Sequence, residues 1–229
     1  MNETPRQLTL DLPVFPRMDT EDFLVSSSNE SAYSLLEAWP EWPSRLLVLS
    51  GPPGSGKTHL STIWAKRANA WALDVQDLTS VRVPHLVANS AVVIEKCEAL
   101  PRDEDALFHL INAMEERGGW VLLTGRGALA GWDLKTPDLL SRLRRAISVE
   151  IEQPDDALLG ALLVKLLIDR QMIVDTSIVE YIRQRIERSV ESVQRFVELI
   201  DQEGLIRGRR ITKGLVSECL QKFDNTQSE

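Results

Sequence analysis

Cysteine is almost missing from this 229-residue chain: Cys97 and Cys219 stand far apart, with no CxxC and no His/Cys spacing suited to zinc. Two isolated thiols exclude a disulfide framework and lead us to expect a reducing, cytoplasmic setting. Histidine is equally scarce, and His59, His85 and His109 form no metal pattern. No apolar run approaches the ~20 residues that cross a bilayer. The opening MNETPRQLTLDLP lacks the basic stretch and apolar core of a secretory signal, so no membrane partner is expected. Positive charge is also short, with 26 Lys and Arg against 34 Asp and Glu, a net charge of −8. That balance argues against a protein whose main work is gripping phosphate backbones. Any contact with DNA is expected to be weak or indirect, and RGRR at 207–210 is read as a solvated turn.

What is present is a chain long enough to bury one large core plus a small appendage, with 43% hydrophobic residues. Residues 1–22 carry Pro5, Pro13 and Pro16 without a helical period, which predicts an extended tail. Short apolar runs then recur at 45–51, 70–75, 91–95, 120–125 and 146–151, bounded by turn residues, as strands covered on both faces would. Helical patterns fall between them at 57–69, 103–117 and 137–145. Alternation of this kind predicts an α/β domain over 23–152 with a parallel five-stranded sheet. After Pro154 only helical spacing remains, with Asp155, Asp175, Ser189 and Thr212 as N-caps and Gly204 as a helix stop. We therefore expect a small all-helical domain over 153–222 and a disordered tail over 223–229. The tryptophans (Trp39, Trp42, Trp64, Trp71, Trp120, Trp132) are read as packing residues, since a platform for stacked bases would need them on one exposed surface.

One motif carries chemistry. SGPPGSGKTHL follows the first strand and opens a helix, the context that GxxxxGK[ST] requires. Gly51, Pro52, Pro53, Gly54, Ser55 and Gly56 form the loop, its glycines letting backbone N–H groups turn inward. Lys57 would reach the terminal phosphates, Thr58 would ligate magnesium, and His59 would begin the helix beside them. ADP or ATP with magnesium is the expected ligand. Glu95, at the end of AVVIE, is the expected second magnesium ligand, through water. The next residue, Lys96, has no acceptor and cannot orient an attacking water. If Lys96 merely points to solvent, Glu98 or Asp103 remains available for that task.

WVLLTG puts Thr124 at a strand end, TPDLLSRLRRAISVEI puts Arg142 on the helix before the last strand, and a helical lid follows. Together these resemble an AAA+ module, and in order and in PDLLSRL the central domain of the replication initiator DnaA. QLTLDLP resembles the sliding-clamp-binding peptide of the Hda family, DnaA-like proteins that inactivate the initiator once replication has begun. The resemblance covers nearly the whole chain and implies clamp docking through Gln7, Leu8, Leu10, Asp11 and Leu12. It implies Thr124 as a phosphate sensor and Arg142 as an arginine finger acting in trans on ATP held by DnaA, with ADP as the productive ligand here. Leu24 and Val25 would line the adenine pocket. It also implies that neither the initiator's amino-terminal domain nor its DNA-reading helix-turn-helix is part of this protein.

Two positions depart from that family. Lys96 replaces an acid or amide, and Glu191 falls where the lid arginine belongs, an arrangement costing ~4 kcal/mol for like charges 4 Å apart at an effective dielectric of 20. Either Glu191 turns away, or Arg195, one turn further along the same face, takes the role. Intrinsic ATPase activity is accordingly expected to be weak, and homo-oligomerisation is left open. The sequence also admits a self-sufficient ATPase resembling helicase loaders, and a non-catalytic adaptor that tethers DnaA to replication sites.

Overall fold

The computed structural model describes residues 22–99, 104–207 and 210–227. The expected clamp-binding residues Gln7, Leu8, Leu10, Asp11 and Leu12 lie outside these, as does Asp103. The chain divides into two compact units at the step from Gln153 to Pro154.

In the first unit, strands β1 (Leu46–Gly51), β2 (Trp71–Asp74), β3 (Ala91–Glu95), β4 (Trp120–Arg126) and β5 (Ile147–Glu150) form one parallel sheet in the order β2-β3-β4-β1-β5. The inner strands β1, β3 and β4 are buried on both faces, which is why they read as unbroken apolar runs. The strands β2 and β5 lie at the edges and are half exposed. Trp71 on β2 is 54% exposed, so its assignment as a packing residue is corrected: an edge strand leaves one face open to solvent.

Connecting helices α1 (Glu30–Glu37), α2 (Lys57–Ala68), α3 (Val83–Val87), α4 (Glu104–Glu116) and α5 (Pro137–Arg145) cover the sheet. Side chains of α3, α4 and α5 pack with Val92, Ile94, Val121 and Leu123 in one core. Leu60 and Trp64 of α2 and Ala32 and Leu36 of α1 pack with Leu47, Leu49, Val93 and Leu122 in another. Four tryptophans thicken that second layer: Trp42 stacks on Trp64 at 5.1 Å, meets Trp120 edge-on at 5.7 Å and donates its indole N–H to the Leu35 carbonyl. Trp39 meets both Trp64 and Trp120 edge-on.

The second unit contains α6 (Asp156–Asp169), α7 (Thr176–Arg183), α8 (Val190–Arg207) and α9 (Lys213–Gln227). Each begins where the sequence placed a cap, because Asp155, Asp175, Ser189 and Thr212 all accept a backbone N–H from the first turn. Two expectations are corrected. Gly204 does not stop α8, which continues to Arg207; there Arg207 bridges Glu203 and Glu218 and ties the last turn to α9, so this first arginine of the basic cluster is not simply solvated. Nor does order end at 222. Phe223 is buried edge-on against Phe196, and α9 runs through to Gln227.

Candidate functional site

β1 delivers the chain into the glycine loop, and α2 begins at Lys57 directly behind it. Gly51 permits a close approach: a Cβ there would stand 2.5 Å from the Ile151 carbonyl oxygen. Gly54 (φ 65°) and Gly56 (φ 99°) take left-handed conformations that side chains resist. Ser55 is 3% exposed, and its Oγ has no protein partner although it is buried. An orphaned hydroxyl inside a loop of this curvature fits a phosphate cradle. Pro52 and Gly54 are half-buried and Pro53 is exposed at the loop's outer edge. Lys57 folds its ammonium back onto the carbonyls of Gly51 (2.9 Å) and Pro52 (2.7 Å). Burial pulls its pKa below the usual lysine range, with Glu98 and Glu95 opposing and Arg126 adding to the shift.

Thr58 and Glu95 come together as expected, Thr58 Oγ1 lying 3.4 Å from Glu95 Oε2. Ser61, one turn along α2, donates to Glu95 Oε1 at 2.6 Å and fixes the carboxylate. Among the described residues no cluster of three or more His, Cys, Asp or Glu could hold a metal. Magnesium would therefore take Thr58, Glu95 and the nucleotide's own oxygens, a donor set this ion accepts.

Lys96 takes a left-handed φ of 59° and turns away, its Nζ donating to Asp74 Oδ2 at 2.7 Å. That bond lowers the Asp74 pKa and raises that of Lys96. The hydroxyl of Thr124, 2% exposed, accepts the Lys96 backbone N–H at 3.4 Å, so this residue braces the β3 exit. Cys97 is buried beside it, and burial pushes its thiol well above the usual range.

Sequence reasoning missed Arg126. It pairs with Gly51 in the β4–β1 register, and the Gly127 N–H reaches the Gly51 carbonyl at 3.4 Å, so the end of β4 stands against the glycine loop. Glu98 holds it twice, accepting its backbone N–H at 3.0 Å and its Nε at 3.1 Å. The signal was a cation in TGR, two residues past the Thr124 singled out.

Asn29 was also missed. Its buried side chain ties down the expected adenine-lining segment, accepting from the Ser26 N–H and donating to the Leu24 carbonyl, both at 2.9 Å. Leu24 is half-buried and Val25 exposed. Phe23 lies over the loop, 3.7 Å from where a Cβ on Gly56 would stand, stacked on Tyr33 and edge-on to His59.

Arg142 is elsewhere. It lines a pocket with Leu46, Gly119 and Val121, where strands begin, whereas the glycine loop follows the end of β1. Five residue steps of β1 separate the two levels by about 16 Å. Glu115 on α4 pairs with its guanidinium. Arg144 and Arg145 are exposed on the same helix. Arg195, in the other unit, holds its guanidinium 5.5 Å from the Phe223 ring centre, one turn past the exposed Glu191.

This sheet order, glycine loop and following helical unit define an AAA+ P-loop module. Its likeness to known proteins runs to DnaA. Domain III of Thermotoga maritima DnaA superposes with a TM-score of 0.79 at 16% identity, covering 93% of this chain and 99% of that one. A replication initiator DnaA bound to AMPPCP and single-stranded DNA gives 0.72 at 20%, covering 83% of this chain and 66% of that one. The Holliday junction branch migration motor RuvB of T. maritima also gives 0.72, at 18%, covering 90% and 72%. In sequence, DnaA of Bacteroides fragilis is 22% identical over 244 residues and that of Flavobacterium psychrophilum 25% over 251, each spanning 95% of this chain. The chain spans about half the length, 51%, of these DnaA relatives. No protein-family profile matches it. The solved structures share this chain's fold, and the curated DnaA relatives are similar to it in sequence over most of its length. Among the described residues no helix is long and apolar enough to cross a membrane.

Proposed function

We propose that this chain is a DnaA-type AAA+ regulator that binds an adenine nucleotide and magnesium, docks on the replicase sliding clamp and stimulates hydrolysis of ATP held by DnaA. The glycine loop, Lys57 and Thr58 hold the nucleotide's phosphates, Glu95 supports magnesium, and residues 7–12 engage the clamp. Arg142 is offered to a neighbouring DnaA. The observation that carries this reading is the separation of Arg142 from the chain's own phosphate loop by the length of β1. A guanidinium at that level is out of reach of the chain's own nucleotide and, on leaving Glu115, can serve one on another molecule. Lys96, turned away and committed to Asp74, offers nothing to an attacking water, which leaves Glu98 or Asp103 as the acids for any turnover of the chain's own. Hydrolysis at the chain's own site is weak or absent, and the hydrolysis that matters takes place on the partner.

The test mixes ATP-loaded DnaA with clamp on DNA and measures release of inorganic phosphate with and without this protein. Stimulation is expected, and Arg142→Ala should remove most of the ~10³–10⁵-fold rate effect an arginine finger can exert. Normal stimulation by Arg142→Ala refutes the assignment. Turnover by the isolated chain at the rate of the mixture would favour a self-sufficient ATPase instead.

A further inference from the structure

The pocket that holds Arg142 is more cationic than a single finger needs. Arg45 reaches it from the entry to β1, while Arg142 and Arg145 reach it from the last turn of α5. Glu115 is the one acid among its lining residues, so three arginines less one glutamate leave a formal +2, in a chain whose net charge is −8. Arginines at the end of α5 complement that helix's dipole, but the dipole gives no reason for a third to meet them from another element. Arg45 is held in place. Its Nη1 donates to the Gly118 carbonyl at 2.5 Å, its Cζ lies 4.4 Å from the centre of the Trp120 ring, and its own carbonyl accepts the Val121 N–H at 2.8 Å. A guanidinium has five N–H groups, so the bond to Gly118 leaves four for another acceptor. Ser44 accepts the Leu46 N–H at 3.2 Å and keeps its own O–H to donate. Arg145 pairs with no acid among the described residues.

We propose that this pocket is an oxyanion site, in which Arg45, Arg142 and Arg145 bind a phosphate group and Glu115 swings out to admit it. The proposal goes beyond the reading above, where Arg142 serves alone, and shares only that residue with it. Converging guanidiniums repel one another, and Glu115 neutralises one of the three. A phosphate group carries about −1.5 to −2 charges at pH 7 with several strong acceptor oxygens, which matches the surplus. A carboxylate brings a single charge and leaves half of it. Planar arginine forks also bind phosphate oxygens two at a time. Ile111 and Val121 line the same pocket, and apolar walls strengthen each charged contact by lowering the local dielectric. Arg45 is the preformed member, since no acid holds it, and Arg142 joins once released from Glu115. The group can be free inorganic phosphate or the terminal phosphate of a partner's nucleotide, which present the same chemistry.

Isothermal titration with inorganic phosphate at constant ionic strength tests this on the full chain carrying Lys57→Ala, which takes the glycine loop out of play. One saturable site is expected. Glu115→Gln removes the resident competitor and should tighten phosphate binding about tenfold, and adding Arg45→Gln should reverse that gain. Arg45→Lys keeps the charge without the fork and should fall between the two. Arg144→Gln, on the same helix but outside the pocket, should change nothing, with melting temperatures reporting that each variant is folded. No saturable uptake even in Glu115→Gln, or an Arg144→Gln loss equal to that of Arg45→Gln, overturns the proposal. In the mixture of ATP-loaded DnaA and clamp, added phosphate that raises the amount of this protein needed for half-maximal stimulation identifies the partner's nucleotide as the source of the phosphate group. Stimulation untouched by phosphate assigns the site to the free ion. Absence of any stimulation refutes the function proposed above, while the titration still decides the pocket.

Discussion

Arg142 on α5 and Glu115 on α4 form an ion pair beside the starts of β1 and β4. Both side chains are well exposed, so the pair contributes no more than about 1 kcal/mol to stability. Its interest is functional, because a guanidinium serving a partner's nucleotide must first leave Glu115. Glu115→Gln should therefore stimulate DnaA hydrolysis at lower protein concentration than wild type, with the melting temperature almost unchanged. Equal or weaker stimulation by the variant would show that Glu115 does not restrain the finger.

Lys57→Ala should abolish nucleotide binding without unfolding the protein, since Nζ meets only loop carbonyls. In differential scanning calorimetry, ADP at 100 times its dissociation constant stabilises a one-site protein by about 2.7 kcal/mol. That shift should appear in wild type and vanish in the variant. An equal shift in both would place the nucleotide elsewhere.

Glu104 anchors the approach to α5, accepting the Lys135 N–H at 2.8 and 3.1 Å and the Thr136 N–H at 2.7 Å. Burial would raise its pKa, but these bonds outweigh burial and hold it below the usual carboxylate range. Its folded pKa thus lies below the unfolded value near ~4.3. Its contribution is complete above that pH and is lost as pH falls through the folded value. Glu104→Ala should cost about 1–2 kcal/mol in urea unfolding at pH 7 and much less in strong acid. A deficit independent of pH would mean that the side chain acts by packing alone.

Gly125 lies against the indole of Trp132, whose N–H is bonded to the Arg126 carbonyl and whose ring occupies the space a Cβ would need. Gly125→Ala should destabilise the α/β unit by about 1–3 kcal/mol through overpacking. Trp132→Leu in the same chain should return part of it. Additive losses in the double variant, read by denaturant titration, would contradict that coupling.

The sheet and the helices of the second unit were legible because their signals are local. Buried strands such as AVVIE leave apolar runs, and Asp155 or Ser189 needs only its own first turn to act as a cap. The glycine loop could be read for the same reason. What escaped depends on contacts between distant segments. Arg126 comes beside the glycine loop only through its register with Gly51, and Glu98 only by reaching back to Arg126. The commitment of Lys96 to Asp74 needs β2 beside β3, and that of Arg142 to Glu115 needs α4 beside α5. Gly204 failed as a stop because Arg207 joins α8 to α9, a bond between helices that spacing along one of them cannot reveal.

All six tryptophans belong to the first unit, and four of them touch one another behind β1 and β4, while the second unit has none. Emission excited at 295 nm is therefore blind to events inside the four-helix unit, and a flat fluorescence trace says nothing about whether those helices have melted. Closely stacked indoles also exchange excitation, so the near-ultraviolet dichroism of this protein should be dominated by a coupled signal from one small region. Kinetic work on the four-helix unit will need a reporter introduced beyond Pro154.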